Sequence, residues 1–140
     1  MEYGVFWLSA AGLLIGAGMG AYGLVSPRWV ATLVRLRDDP GAPGGFAEFR
    51  GTYGGLFLAS HALALILMVA VAREVETLGG VPTLWTALGA SAVCSAMWLG
   101  TAIGRAASTL FDGTATKYNQ ASIAFEIALG LAIMAPWLRH

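Results

Sequence analysis

The sequence predicts an all-α protein: an antiparallel four-helix transmembrane bundle, with a short interfacial amphipathic helix between helices one and two. Three observations carry that prediction. Of 140 residues, 57% are hydrophobic and only 11% are charged. A soluble domain carries about 25% charged side chains, so too few remain here to clothe a water-facing surface. Four stretches are each long enough to cross the bilayer, which takes about 20 mostly apolar residues for roughly 30 Å of hydrocarbon. Turn-forming residues separate them.

The first stretch, Tyr3 to Val25, has no charged residue. It begins after Glu2 instead of a basic segment and is too long for a signal-peptide core, so it reads as a retained first helix. Ser26-Pro27 then reads as a cap and a first helical residue. Trp29, Val30, Leu33, Val34 and Leu36 cluster on one side of the following stretch. Arg28, Thr32, Arg35 and Asp39 fall on the other, the pattern of a helix lying among headgroups. Asp38-Asp39-Pro40-Gly41-Ala42-Pro43-Gly44-Gly45 closes this stretch as a turn. The remaining spans cover about 46–72, 82–104 and 117–138, joined by 73–80 and 111–114. No strand alternation, internal repeat or second domain is evident.

Several function classes drop out. Eight basic and eight acidic side chains cancel, which leaves no pull toward nucleic acid. The one cysteine, Cys94, excludes a disulfide framework and a thiolate zinc cluster. No glycine loop ending in Gly-Lys-Ser/Thr is present for a nucleotide. His61 and His140 fall at different depths, which argues against a serine–histidine–aspartate set and against bis-histidine haem ligation.

Basic residues set the expected orientation. Arg28, Arg35, Arg37, Arg50, Arg105 and Lys117 flank the loops after spans one and three, against only Arg73 and Arg139 on the opposite side. By the positive-inside rule the first group is cytoplasmic and both termini face out. Trp7, Trp85 and Trp137 then mark the outer boundary and Trp29 the inner one. Small residues matter for helix association in lipid. Gly12, Gly16 and Gly20 form one such stripe, and Ala92, Ala96, Gly100 and Gly104 another; packing inside the chain is the default expectation for both, and dimerisation between chains the alternative.

Ionisable residues inside a span cost about 2.5–3.5 kcal/mol each on insertion scales and usually face a partner in the bundle interior. Glu126 sits midway along the fourth span, about 13 Å below Lys117 at the helical rise, on a stripe with Asn119 and Ser122. Arg50 and Arg105 are its expected partners, since a guanidinium can grip a carboxylate bidentately. Arg105, Ser108 and Asp112 share a face if the third helix outlasts its apolar stretch. His61 lies eleven residues beyond Arg50, about three turns deeper. Converging stripes predict a polar pocket open to the cytoplasmic side, lined by Glu48, Arg50, Tyr53, His61, Arg105, Ser108, Asp112, Asn119 and Glu126. The same residues fit either a ligand site or an ion-pair network that fixes helix register. His61 and Glu126 have no third ligand at matching depth, so neither a metal nor a cofactor is predicted.

Glu48-Phe49-Arg50-Gly51-Thr52-Tyr53-Gly54-Gly55, then Gly104-Arg105 with Ser108 and Asp112-Gly113, then Glu126, resembles a bacterial domain-of-unknown-function family of small four-helix membrane proteins. More loosely, Arg50-Gly51-Thr52-Tyr53-Gly54 is similar in placement to DoxX-like proteins and to the sterol-synthesis scaffold family of yeast. The resemblance implies the same polar helix ends and no activity to carry over. The function expected is that of a non-enzymatic membrane protein, an accessory or scaffold subunit or a binder of a lipid-like molecule. Its expected partners are membrane lipids and a homodimer or larger membrane complex, in the bacterial inner membrane. Alternatives are a dimeric proton-coupled transporter built on Glu126 and a quinone-linked redox subunit.

Overall fold

The computed structural model describes residues 4–37, 39, 41 and 44–139. Expectations placed on Glu2, Tyr3, Asp38, Pro40, Ala42, Pro43 and His140 lie outside the described residues. Among the described residues, four helical stretches are long and apolar enough to cross a membrane: Gly4–Val25, Gly45–Ala72, Thr83–Phe111 and Lys117–Arg139. They are compatible with a multi-pass membrane protein.

Helix α1 (Gly4–Val25) ends where Pro27 opens α2 (Pro27–Val34). A first helical residue needs no N–H, which suits proline, but Ser26 makes no side-chain capping bond. Ser26 nonetheless holds the expected cap position, its carbonyl accepting the Trp29 N–H at 3.0 Å. α2 stops at Arg35, whose φ of 59° is left-handed, so Arg35, Leu36 and Asp39 lie beyond the helix their spacing assigned them to. Periodicity carries no trace of that stop, because a side chain in the left-handed region costs only about 1–2 kcal/mol.

The second span is continuous but not uniform. It comprises α3 (Gly45–Glu48), a π-helical segment Phe49–Leu56 and α4 (Phe57–Ala72). π turns are rare and short in proteins. Gly51, Gly54 and Gly55 all fall within this one, and glycine weakens the α preference by about 1 kcal/mol per residue. After α4 the chain makes a small hairpin that the sequence reading did not anticipate. Thr77 faces Pro82 and Leu78 faces Val81 in strands β1 (Thr77–Leu78) and β2 (Val81–Pro82). Gly79 and Gly80 turn between them with φ of 59° and 80°, the conformation of a tight two-residue hairpin loop. Strands this short show no alternation to read.

Helix α5 (Thr83–Phe111) runs past the predicted end at 104. Apolarity fades at Arg105, but Ala106 and Ala107 sustain a helix without it. Gly113, at φ 66°, turns the chain toward α6 (Lys117–Met134), whose first turn Thr116 caps by accepting the Asn119 N–H at 3.2 Å. Pro136, which cannot continue the α ladder, lies in the closing 3₁₀ turn Ala135–Arg139.

Contacts divide the chain into two compact units, residues 1–13 with 64–140, and residues 14–63. In the first, α5 and α6 run antiparallel. Ser95 Oγ donates to the Gly130 carbonyl, and Trp137 Nε1 to that of Leu88, both at 2.8 Å. Ser9 Oγ donates to the Ile133 carbonyl at 2.8 Å. Leu13, Met68, Leu88 and Ile133 are fully buried there. In the second unit Gly16 and Gly20 of α1 lie against His61 and Leu58, as the first small-residue stripe predicts. The other stripe departs from expectation. Ala96, Gly100 and Gly104 are exposed, and a Cβ on either glycine would meet nothing within 4 Å.

Candidate functional site

Five of the nine predicted site residues belong to the first unit: Arg105, Ser108, Asp112, Asn119 and Glu126. The extension of α5 beyond its apolar stretch brings Arg105 onto the face that carries buried Trp98 and Ala102, at helical spacing. The facing stripe of α6 buries Glu126, Leu129, Gly130 and Ile133. Across this seam Arg105 Nε donates to Glu126 Oε1 at 2.6 Å, a short charge-assisted bond. Glu126 is 4% exposed, while the Arg105 side chain remains 27% exposed. The grip is single, not bidentate. Glu126 Oε2 is buried without a hydrogen-bond partner, a state shared among the described residues only by Thr83 Oγ1. An unsatisfied buried acceptor costs about 1–3 kcal/mol, more when charged. The Trp98 ring stands edge-on to Phe125 at 5.8 Å, giving the surroundings an apolar wall.

Ser108 and Asn119 do different work. Ser108 Oγ lies 3.0 Å from Thr114 Oγ1, and Asn119 Nδ2 donates to the Thr114 carbonyl at 2.8 Å. Both brace the α5–α6 connection through Thr114, which sequence reasoning did not single out and which no periodic pattern marks. Asp112 is exposed at the end of α5, its N–H bonded to the Ser108 carbonyl at 2.9 Å.

The other four residues, Glu48, Arg50, Tyr53 and His61, belong to the second unit. Glu48 is exposed on α3. Arg50, which the sequence offered as a partner for Glu126, donates through Nη1 to the Leu24 carbonyl. Tyr53 packs its ring at 6.3 Å from that of Phe49. His61 is fully buried. Its Nδ1 lies 2.9 Å from the Phe57 carbonyl, and a carbonyl only accepts, so Nδ1 carries the proton. The imidazole stacks on Phe57 at 5.3 Å. A Cβ on Gly16 would fall 2.1 Å from His61 Cδ2, so the missing side chain there is what admits the ring.

The second unit also holds two adjoining clefts that sequence reasoning missed. One, of about 510 Å³, is lined by Arg28, Thr32, Arg35, Arg37 and Phe46 among others. The other, of about 290 Å³, has Ser26, Arg28, Phe46 and Arg50 in its wall. The Arg28 guanidinium lies 5.9 Å from the centroid of the Phe46 ring, within cation–π range. In the sequence Arg28 and Arg35 mark the polar face of the interfacial helix, Arg50 is a candidate partner for Glu126, and Arg37 serves only to orient the chain. Among the described residues, no group of three or more His, Cys, Asp or Glu gathers where a metal ion could be held.

No family model, no curated protein and no solved structure matches this chain.

Proposed function

We propose that this chain is a non-enzymatic integral membrane protein that holds the polar end of a lipid-like molecule against Glu126. In this reading its spans form an antiparallel four-helix bundle in the bacterial inner membrane. Both termini face out, and Pro27–Val34 lies among the headgroups. The likeness to small four-helix membrane proteins of unknown function belongs to the same proposal and adds no activity to it.

One observation carries the reading: Glu126 Oε2 is a buried acceptor without a hydrogen-bond partner. Buried polar groups in proteins nearly always find partners, so a site that lacks one suits a ligand that brings a donor. The chemistry narrows that ligand to a hydroxyl, amide or ammonium head, since an ionised carboxylate only accepts. Trp98 and Phe125 offer the adjoining hydrocarbon wall, and Phe125 is 44% exposed, which leaves a lateral way in.

The test is organic extraction of the purified protein followed by mass analysis. A stoichiometric donor-bearing lipid, quinol or sterol is expected. Only the detergent and bulk phospholipid, in the proportions of the solubilised membrane, would overturn the reading. A lone embedded carboxylate also suits a proton-coupled carrier. That second reading requires pH-dependent flux in proteoliposomes that disappears in Glu126→Gln.

A further inference from the structure

The two adjoining clefts of the second unit share Arg28 and Phe46 and between them present Arg28, Arg35, Arg37 and Arg50. No acidic side chain lines either cleft among the described residues. Asp39 Oδ1 is engaged by the Gly41 N–H at 2.8 Å, and Glu48, exposed on α3, lines neither cleft. Guanidinium groups present forked donors that match phosphate oxygens. Two of the arginines are also held in place: Arg28 lies over the Phe46 ring, and Arg50 is anchored on the Leu24 carbonyl. A preset donor loses less freedom on binding than a mobile one.

We propose that these clefts hold the headgroup of an anionic phospholipid carrying two phosphates, one in each cleft. The shared chemistry is a phosphate ester, and the walls decide its source. Val25, Leu36 and Phe46 contribute apolar surface beside the arginines. The clefts also lie between the end of one span-length helix, at Val25, and the head of the next, at Gly45. Basic pockets at such helix ends meet lipid phosphates where the bilayer begins. A soluble diphosphate has no use for the apolar wall. The inference draws on no α5–α6 residue and needs only that the four helices cross a membrane.

The protein is placed in phosphatidylcholine nanodiscs doped with phosphatidylglycerol or with cardiolipin, and retained lipids are counted by native mass spectrometry. Cardiolipin is expected to be retained over phosphatidylglycerol, and phosphatidylglycerol over phosphatidylcholine. Arg37→Gln removes an exposed side chain and should lower cardiolipin retention roughly fivefold, the factor for one basic group near an anionic surface. Arg28→Gln, common to both clefts, should lower it further. Arg73→Gln, an exposed arginine outside the clefts, should change nothing. Because Arg28→Gln could disturb folding through Phe46, Arg37→Gln is the deciding variant, with its thermal unfolding matched to wild type. Equal retention of the three lipids, or equal losses in Arg37→Gln and Arg73→Gln, would overturn the proposal. So would inorganic pyrophosphate binding as tightly as cardiolipin, which would assign the clefts to a soluble anion.

Discussion

Arg105 and Glu126 meet at 2.6 Å across the seam of two antiparallel span-length helices, through one nitrogen and one oxygen. Glu126 is buried while Arg105 keeps part of its side chain exposed.

Removing one partner should therefore hurt more than removing both. Breaking a buried pair costs about 3–5 kcal/mol, because one charge stays behind uncompensated. Arg105→Leu leaves the buried Glu126 carboxylate behind and should fall at the high end of that range, while Glu126→Leu leaves a partly exposed guanidinium and should fall at the low end. The double replacement should cost less than the costlier single one, which needs a coupling of about 3 kcal/mol, the upper end for residues in contact. Reversible unfolding in mixed micelles measures all three. Additive losses would mean that the pair contributes nothing as a pair.

The glycines of α1 give a sharper contrast. A Cβ on Gly20 would sit 2.3 Å from the Leu58 backbone nitrogen, whereas one on Gly18 would meet nothing within 4 Å. Gly20→Ala should destabilise by about 1–3 kcal/mol through overpacking against the backbone. Gly18→Ala should stabilise by about 0.5–1 kcal/mol, the ordinary helix preference of alanine. The same unfolding assay separates them by sign.

Hydroxyl bonds between helices should be individually modest. Ser9 and Ser95 donate across helices to the Ile133 and Gly130 carbonyls. Membrane double-mutant cycles put such bonds near 0.6 kcal/mol. Ser9→Ala and Ser95→Ala should each lose about that much.

At the hairpin, Gly79 and Gly80 both hold positive φ. Alanine at either position should cost about 1–2 kcal/mol, while Gly79→Asn should be nearly silent, because asparagine accepts this turn conformation. Amide hydrogen exchange of Thr77 to Val81 reports the local opening directly.

Much of this was legible in the sequence. The four span-length helices follow from unbroken apolarity, and Glu126 stood out because a carboxylate at that depth needs a partner. Which arginine supplies it was not legible, since Arg50 and Arg105 have the same chemistry and both lie at a helix end. Only the α5 extension past residue 104 brings Arg105 to the seam. The π segment at Phe49–Leu56 was invisible because i→i+5 bonding leaves the composition of a stretch unchanged. The Thr114 brace depends on the path of a connection, and hydropathy does not encode that path. Arg28, Arg35 and Arg37 were visible as charges, but a shared cleft is a property of the turn at Arg35 and the placement of Phe46.

The most direct measurement is native mass spectrometry of the protein released from its own membrane, comparing wild type with the Arg105→Leu/Glu126→Leu double variant. Replacing both charges by leucines should leave the protein folded while deleting the acceptor. Wild type should carry one donor-bearing molecule per chain that the folded double variant lacks, while any phospholipid held by the arginine clefts stays with both. If no bound molecule distinguishes wild type from the double variant, a ligand-holding role for Glu126 is contradicted.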